Sequence, residues 1–271
     1  MRIAAGRRHS VAVRPDGRVV AAGPSGAPEC AVDQWRDVVA VAAGNVHTAG
    51  NTGQSHTVGL RSNGTVLATG WNGDGQCDLD GWRQVVAIAA GWRRTLAALA
   101  DGRVVAAGRA TDGACDVAAW REMVAVSAGD WHSVAVRADG TVAAVGNNRR
   151  GQCEVDGWRE VVNASAGYLH TVGVTASGRV VGCGDSSAGV AEVAGWGDIV
   201  AVAAGSRHTL GLEAAGRVHA AGDNSEGQCD VGHWREVVAV AAGSGHSLGL
   251  RADGTVMAAG RNDDGQSQVS P

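Results

Sequence analysis

The sequence predicts an all-β protein, a seven-bladed β-propeller with four antiparallel strands in each blade. A run of small residues that ends in glycine recurs seven times, at Gly6, Gly44, Gly91, Gly129, Gly167, Gly205 and Gly243. The spacing is 38 residues except between the second and third copies, where it is 47. A period near 40 is typical of propellers in which each repeat supplies one blade. No segment has the 3.6-residue apolar period of a helix.

The fourth repeat shows how each predicted element follows from its residues. Val124–Gly129 is the small-residue run, strand A, and His132–Arg137 alternates as strand B. Asp139-Gly140 supplies the positive φ of a tight hairpin. Thr141–Gly146 is strand C, and Gln152–Val155 is predicted as a short strand D. We expect every blade to follow this order.

The predicted ring places strand A innermost, because alanine and glycine suit its crowded centre. The chain would begin with strand A of blade 1 and end with strand D of blade 7, so that the ring closes by packing between these blades. A closing blade of mixed strands is the alternative. We expect one domain over residues 1–271, with a nine-residue insertion near residues 45–57 where Gly44–Thr48 is repeated as Gly53–Thr57.

The composition excludes several classes of protein. The apolar fraction of 45% and the charged fraction of 18% are those of a folded chain. All 23 basic residues are arginine, and the net charge of −4 argues against a general nucleic-acid binder. No apolar run approaches the roughly 18 residues that span a bilayer. Because the first repeat starts so close to Met1, no signal peptide is expected, and we predict a cytoplasmic protein that binds neither nucleic acid nor membrane.

Residues 243–266, with the sequence GSGHSLGLRADGTVMAAGRNDDGQ, resemble the repeat of the regulator-of-chromosome-condensation propellers. The resemblance extends over essentially the whole chain. In its compactness the repeat is closest to bacterial members, although it lacks the aromatic residue usual before the strand C glycine. The family's uses include nucleotide exchange on a small GTPase, ultraviolet sensing and enzyme inhibition. The resemblance therefore implies the fold and leaves the function open.

The two faces of the predicted ring differ in how much they vary. The A–B and C–D loops open on one side, here called the variable face, because their sequences change from copy to copy. The B–C hairpins and D–A links open on the other, repetitive face, where the links carry Trp35, Trp82, Trp120, Trp158, Trp196 and Trp234. Variable loops on a rigid scaffold indicate a recognition surface.

The predicted function is binding of a protein, a peptide or a small anionic or aromatic ligand through the variable face. Trp71, Trp92, Trp131 and Tyr168 fall in consecutive blades and form an aromatic arc. Exposed Trp, Tyr and Arg dominate binding hot spots, and Arg grips carboxylate or phosphate with paired hydrogen bonds. The predicted binding residues are Trp71, Trp92, Arg93, Arg94, Asp130, Trp131, Arg149, Arg150, Tyr168 and Arg207.

Two other functions stay open from the sequence. An enzyme would place its pocket at the mouth of the central channel, with Arg94, Asp130 and His56 as candidate catalytic residues. An ultraviolet sensor is suggested by Gly91–Thr95, because this Trp-Arg pentapeptide is similar to that of the plant ultraviolet photoreceptor of the family.

The histidines and cysteines are interpreted as structural. Histidine precedes Ser or Thr at the start of strand B in most repeats, at His9, His47 or His56, His132, His208 and His246, with His170 in the remaining copy. Five of the six cysteines follow the repeat, and equivalent positions of facing sheets lie about 10 Å apart, beyond the roughly 7 Å reach of a disulfide between Cα atoms. We expect free, buried thiols, no metal site and no cofactor.

Overall fold

The computed structural model describes residues 2–44 and 55–270, which form seven antiparallel sheets of three consecutive strands each. The strands of blades 1 to 3 are β1 (Ile3–Ala5), β2 (Ser10–Val13), β3 (Val19–Ala22), β4 (Val38–Ala43), β5 (His56–Arg61), β6 (Val66–Gly70), β7 (Val85–Gly91), β8 (Arg94–Leu99) and β9 (Val104–Gly108). Those of blades 4 to 7 are β10 (Met123–Ala128), β11 (His132–Arg137), β12 (Val142–Gly146), β13 (Val161–Ala166), β14 (His170–Thr175), β15 (Val180–Gly184), β16 (Ile199–Ala204), β17 (His208–Glu213), β18 (Val218–Gly222), β19 (Val237–Ala242), β20 (His246–Arg251) and β21 (Val256–Gly260). Three short 3-10 helices are Pro28–Cys30, Ser186–Ala188 and Val193–Gly195. The all-β, seven-bladed prediction is confirmed.

The first strand of every blade lies innermost, as the small residues predict. These strands contact one another around a closed ring, and their Ala, Val, Ile and Ser side chains line a narrow central channel. The ring closes where β1 packs against β19 and β20, while each terminal sheet keeps its own three strands. Closure therefore rests on packing between blades 7 and 1, and the mixed closing blade does not occur.

The predicted fourth strand is not found in the described residues. In blade 4 the segment Gln152–Val155 forms consecutive turns, in which the N–H of Glu154 donates to the Gly151 carbonyl at 3.1 Å. The Asn148 side chain accepts from the Cys153 N–H at 2.8 Å, and the Gln152 side chain accepts from the Arg150 N–H at 2.9 Å. These local bonds use backbone donors that a fourth strand would need for its ladder.

Neighbouring blades are joined by a buried histidine–hydroxyl hydrogen bond. His132 Nε2 lies 2.7 Å from Thr171 Oγ1 in the next blade, and Thr171 Oγ1 donates to the Gln152 carbonyl at 2.7 Å. Since the hydroxyl proton is committed to the carbonyl, Nε2 carries the proton of the imidazole. The same contact joins His9 to Thr57, His56 to Thr95, His170 to Thr209, His208 to Ser247 and His246 to Ser10.

The repeat glycine makes room for this contact. A Cβ at Gly6 would lie 2.5 Å from Cε1 of His9, and one at Gly243 would lie 2.5 Å from the Gly6 carbonyl oxygen of the adjoining blade. The ring histidines are fully buried, so the imidazolium form is poorly solvated and the pKa of each is lowered to about 3 or 4. They are therefore neutral at physiological pH.

Blade 3 replaces the ring histidine with Arg94, which is fully buried. Its Nη2 donates to the carbonyls of Gly129 at 2.8 Å and His132 at 3.0 Å. Its Nη1 donates to the Asp130 carbonyl at 3.2 Å and lies 3.7 Å from an Asp112 carboxylate oxygen. Burial lowers the pKa of Arg94, and the charges of Asp112 and Asp130 oppose that shift. The guanidinium therefore takes over the joining of blades 3 and 4.

The link tryptophans pack between adjacent blades. Trp35 is buried among Val11 and Val19 of blade 1 and Val38 and Val41 of blade 2. The arginine that follows it donates from Nη1 to its own link's carbonyls, and this bond recurs after four further link tryptophans. Packing and capping thus fix the repetitive face in the same way in nearly every blade.

We expect acid to unfold the protein through the histidine ring. The unfolded chain binds protons near pH 6.5, whereas the folded ring binds them only near pH 3 to 4. The stabilisation is therefore complete above about pH 6.5 and is lost as the pH falls towards about 4. His170→Gln, which keeps an N–H donor, should reduce the slope of unfolding free energy against pH by up to about 1.4 kcal/mol per unit. Urea unfolding across this pH range measures the slope, and the exposed His233→Gln is the matched control, which should leave it unchanged.

We expect Arg94 and Asp112 to be energetically coupled. Arg94→Met removes the cation that lies 3.7 Å from the largely buried Asp112 carboxylate, which should cost roughly 3 kcal/mol or more of unfolding free energy. Adding Asp112→Asn should recover about 1 kcal/mol or more, since it removes the uncompensated charge. Urea unfolding of the two single variants and the double variant tests the coupling, with the exposed Arg179→Met as control. Strict additivity of the two losses would contradict it.

Candidate functional site

The A–B and C–D loops open on one face of the ring, as predicted. In successive blades the first C–D loop residue donates its N–H to the A–B loop of the same blade. The pairs are Trp71 to Ser55, Arg109 to Arg93, Asn147 to Trp131, Asp185 to Leu169, Asp223 to Arg207 and Arg261 to Gly245, at 2.8–2.9 Å. These bonds place the predicted aromatic arc on the variable face.

Three of the four arc aromatics are interleaved with arginines in what we call the Trp–Arg stack, formed by Trp71, Arg93, Trp92, Arg109 and Trp131. The Arg93 guanidinium carbon lies 4.7 Å from the ring centroids of both Trp71 and Trp92. That of Arg109 lies 5.0 Å from Trp92 and 5.8 Å from Trp131. The Trp92 and Trp131 rings meet edge to face at 4.4 Å. The cations and ring faces satisfy one another within the chain.

The stack corrects part of the predicted binding surface. Trp92 is only 6% exposed, so the expectation of four exposed aromatic rings is wrong at this residue. Arg93 sits between two rings, adopts a positive φ of 62°, and lies 3.5 Å from Asp74. Trp71 and Trp131 are half-buried at the edges of the stack. The blades 2–4 part of the arc is therefore largely occupied by its own side chains.

The three candidate catalytic residues are also buried. His56 fills the ring position of blade 2, contacts Thr95 Oγ1 at 2.9 Å and is neutral, because burial lowers its pKa to about 3. Arg94 joins blades 3 and 4, and Asp130 is fully buried beside it. The structure gives none of them access to a substrate on the surface.

A wide open space on the variable face lies between blades 3 and 6. A cleft of about 660 Å³ is lined by Trp131, Asn147, Asn148, Arg149, Arg150, Tyr168, Leu169, Thr111 and Asp112. A second cleft of about 350 Å³ shares Arg150, Tyr168 and Leu169 and continues to Asp185, Ser187, Ser206 and Arg207. We call the two together the blade 4–6 groove. Half-buried Trp131 and Tyr168 contribute its aromatic surface.

The blade 4–6 groove carries a surplus of positive charge. Arg149, Arg150 and Arg207 are exposed, and none of their guanidinium groups lies within 4.0 Å of a carboxylate among the described residues. The Asp185 carboxylate accepts from the Ser187 N–H at 2.9 Å, which lowers the pKa of Asp185, and Arg150 and Arg207 lower it further. The three arginines therefore face solvent, with the Asp185 carboxylate near Arg150 and Arg207 and the Asp112 carboxylate in the lining of the larger cleft.

In the opposite sector of the variable face, Arg8 and Arg261 are paired with carboxylates. Between blades 7 and 1, the Arg8 guanidinium makes a two-point ion pair with Asp264, one contact being Nε to Oδ2 at 2.7 Å. Arg261 pairs with Asp263 at 2.7 Å. Because these charges neutralise one another, the unpaired arginines of the groove distinguish it from this sector.

The remaining sequence expectations concern cysteines, metals and the insertion. The six cysteines are free, as expected, but half-buried, and burial raises the pKa of Cys77, Cys153 and Cys229 to about 11. No group of three or more metal-ligating side chains occurs within residues 2–44 and 55–270. Most of the blade 2 insertion, including His47, lies outside the described residues. In the same described part of the chain, the helices are all too short to cross a membrane.

Sequence reasoning missed several residues of the site. Arg109 completes the Trp–Arg stack, and Asn147, Asn148, Leu169 and Ser187 line the groove. Their only sequence signal was a position in the variable A–B or C–D loops. Arg149, Arg150, Trp131, Tyr168 and Arg207 were predicted and are brought together around one groove.

Comparisons with solved structures identify the same architecture. Human WBSCR16 is 19% identical, with a TM-score of 0.69 over 92% of this chain and 86% of that one. Prp20p of Saccharomyces cerevisiae, described with its binding to Gsp1p and histones, is 18% identical, with a TM-score of 0.68 over 90% and 75%. The CRINKLY WD40 ectodomain of the Arabidopsis thaliana receptor kinase ACR4 is 20% identical, with a TM-score of 0.63 over 82% and 85%. No curated protein matches in sequence.

The family comparison agrees with the repeat boundaries seen in the structure. The model of the Regulator of chromosome condensation (RCC1) repeat matches residues 51–76, 85–114, 123–152, 161–190, 199–228 and 237–266. Five matches begin at the first residue of a blade's first strand, and the match over 51–76 begins between β4 and β5. Each runs into the turns after the third strand of its blade. With six matched repeats and a seven-bladed ring of the same architecture, the chain belongs to the RCC1 repeat family.

Proposed function

We propose that this protein is a recognition scaffold that binds an acidic segment of a partner protein in the blade 4–6 groove. The groove offers two aromatic surfaces, Trp131 and Tyr168, and three cations, Arg149, Arg150 and Arg207. Carboxylates of an extended segment would pair with the guanidinium groups, while its side chains would pack on the rings. The asparagine amides at the groove edge add hydrogen-bonding groups for its backbone.

The observation that carries the proposal is the unpaired state of these arginines among the described residues. Elsewhere on the same face, arginines are neutralised by Asp264 or Asp263 or are sandwiched between tryptophans. Three exposed guanidinium groups along one groove attract an anion and raise its association rate. A protein partner is favoured over a small ligand because the groove is long and open, and its cations are spread over blades 4 to 6.

The related yeast propeller supports a protein partner in general terms. Prp20p is described through its binding to Gsp1p and histones, so a propeller of this architecture serves there as a protein-binding surface. The identity of 18% carries over the fold and no partner. The expected chemistry of the partner therefore follows from the groove of this chain alone.

The proposal is tested with a fluorescein-labelled hexaglutamate peptide and fluorescence anisotropy. We expect saturable binding that weakens as salt is raised, because exposed ion pairs are screened. Arg149→Glu combined with Arg150→Glu should weaken binding by about 100-fold or more, corresponding to about 2.7 kcal/mol. Tyr168→Ala should weaken binding without a matching loss of thermal stability, because the ring is only half-buried.

The matched control carries the same charge change on the repetitive face, as Arg121→Glu with Arg159→Glu. Both arginines are exposed and belong to equivalent links of blades 4 and 5. Equal weakening by the control pair would show that net charge alone attracts the peptide. That result, or equal binding of a hexalysine peptide, would contradict recognition by the groove.

The Trp–Arg stack supports ultraviolet sensing as a second candidate function. Trp92 and Trp131 are in ring contact at 4.4 Å, and Arg109 lies over the faces of both. Excitation of an indole redistributes the ring electron density that attracts the guanidinium groups. A change in the stack would alter the shape of the variable face in blades 2–4.

Ultraviolet illumination followed by size-exclusion chromatography tests this second function. If the stack responds to light, illuminated protein should elute at a different volume, and Trp92→Phe should abolish the change. Trp158→Phe, at a half-buried link tryptophan away from the stack, is the control. An unchanged elution volume and an unchanged tryptophan emission spectrum would exclude sensing through the stack.

A further inference from the structure

The repetitive face carries a ring of exposed valines that no contact within the chain explains. In β10, Met123 pairs with Arg137 and Ala125 pairs with Val136, so the bulge leaves Val124 without a ladder partner. The same bulge occurs in the first strands of blades 2 to 7. Its extra residue is valine each time, 47% to 55% exposed, at Val39, Val86, Val124, Val162, Val200 and Val238. They are the exposed large hydrophobic residues of the described part of the chain.

The position of these residues makes them one surface. Each lies at the beginning of an innermost strand, while the repeat glycine after that strand leads to the variable face. The six valines, here called the valine ring, therefore surround the channel mouth on the repetitive face. A bulge redirects its extra side chain and takes it out of the ladder. Strand pairing therefore does not require an apolar residue at these positions. A set of apolar residues repeated around the ring and exposed to solvent indicates an interaction surface.

The charges around the valine ring are balanced and unpaired within the described residues. Each valine follows an exposed link. The links before Val39, Val124, Val162 and Val238 carry an arginine next to an acidic residue, whereas the link before Val86 carries Arg83 without an acid and the link before Val200 carries Asp198 without an arginine. None of these residues forms an ion pair within 4.0 Å in the described part of the chain. Together these links carry five arginines and five acidic residues, so their summed charge is zero.

We propose that the valine ring is a self-association surface, on which a second copy of this chain stacks its own valine ring. A two-fold interface sets the same patch against itself, which requires a surface that complements its own charges. The four links that carry an arginine next to a carboxylate meet that requirement, because an opposed copy can set the cation of one such link against the anion of another. A dimer of this kind presents its two variable faces outward, on opposite sides.

The test is the association state of the full-length protein, measured by sedimentation equilibrium over roughly 1 to 100 µM. We expect a monomer–dimer equilibrium in the wild type. Val124→Glu with Val200→Glu should raise the dimer dissociation constant by about 100-fold or more, because it buries carboxylates in the apolar contact. Val124→Thr with Val200→Thr keeps the branched shape of the strand and should raise it by a smaller factor.

The matched control adds the same charge to the variable face, as Ala110→Glu with Ser186→Glu, both at exposed positions of the C–D loops. Circular dichroism is used to check that the threonine pair folds, so that the test stays valid if the glutamate pair unfolds. A wild type that stays monomeric throughout the concentration range would overturn the proposal. So would a dimer that the threonine pair leaves unchanged, or one that the variable-face control weakens equally.

Discussion

The fold depends on a neutral imidazole buried between neighbouring blades at every junction but that of blades 3 and 4, where Arg94 takes its place. A propeller has no single core, because each sheet packs against its two neighbours and the ring must close without a shared strand. The histidine donates to a hydroxyl of the next blade, and that hydroxyl donates back to a carbonyl of the first, so three buried polar groups are satisfied at once. The small size of glycine allows the imidazole to lie at the junction. The same contact between His246 and Ser10 closes the ring.

Because the histidine contacts hold the blades together, the two faces of the ring can have different roles. The histidine ring, the link tryptophans and the hairpin glycines fix the scaffold without using the A–B and C–D loops beyond their first residues. Those loops are therefore free to differ, and they do so by sector. Blades 2–4 use theirs to build the Trp–Arg stack, blades 7 and 1 neutralise theirs with ion pairs, and blades 4–6 leave arginines and aromatic rings open to solvent.

Arg94 illustrates how a departure from a repeat should be interpreted. A residue that departs from the repeat is an attractive candidate for catalysis. Arg94, however, joins two blades as the repeat histidine does, with a different chemical group. Its guanidinium reaches the carbonyls of Gly129 and His132 across the blade junction. The longer side chain replaces a single imidazole donor with several, and its charge lies 3.7 Å from the Asp112 carboxylate. The junction of blades 3 and 4 is therefore preserved although the histidine is absent there.

The sequence alone determined the number of blades, the order of the first three strands and the division into a variable and a repetitive face, since all three follow from short-range patterns repeated at a fixed period. The predicted fourth strand failed because Asn and Gln side chains compete locally for its backbone donors, as Asn148 does at Cys153. Which loop residues remain available was decided only by tertiary structure. Burial of Trp92 and the pairing of Arg8 with Asp264 depend on side chains from other blades. A linear pattern records which residues a loop contains, whereas ion pairs, ring contacts and solvent exposure arise from the packing of loops that are distant in sequence.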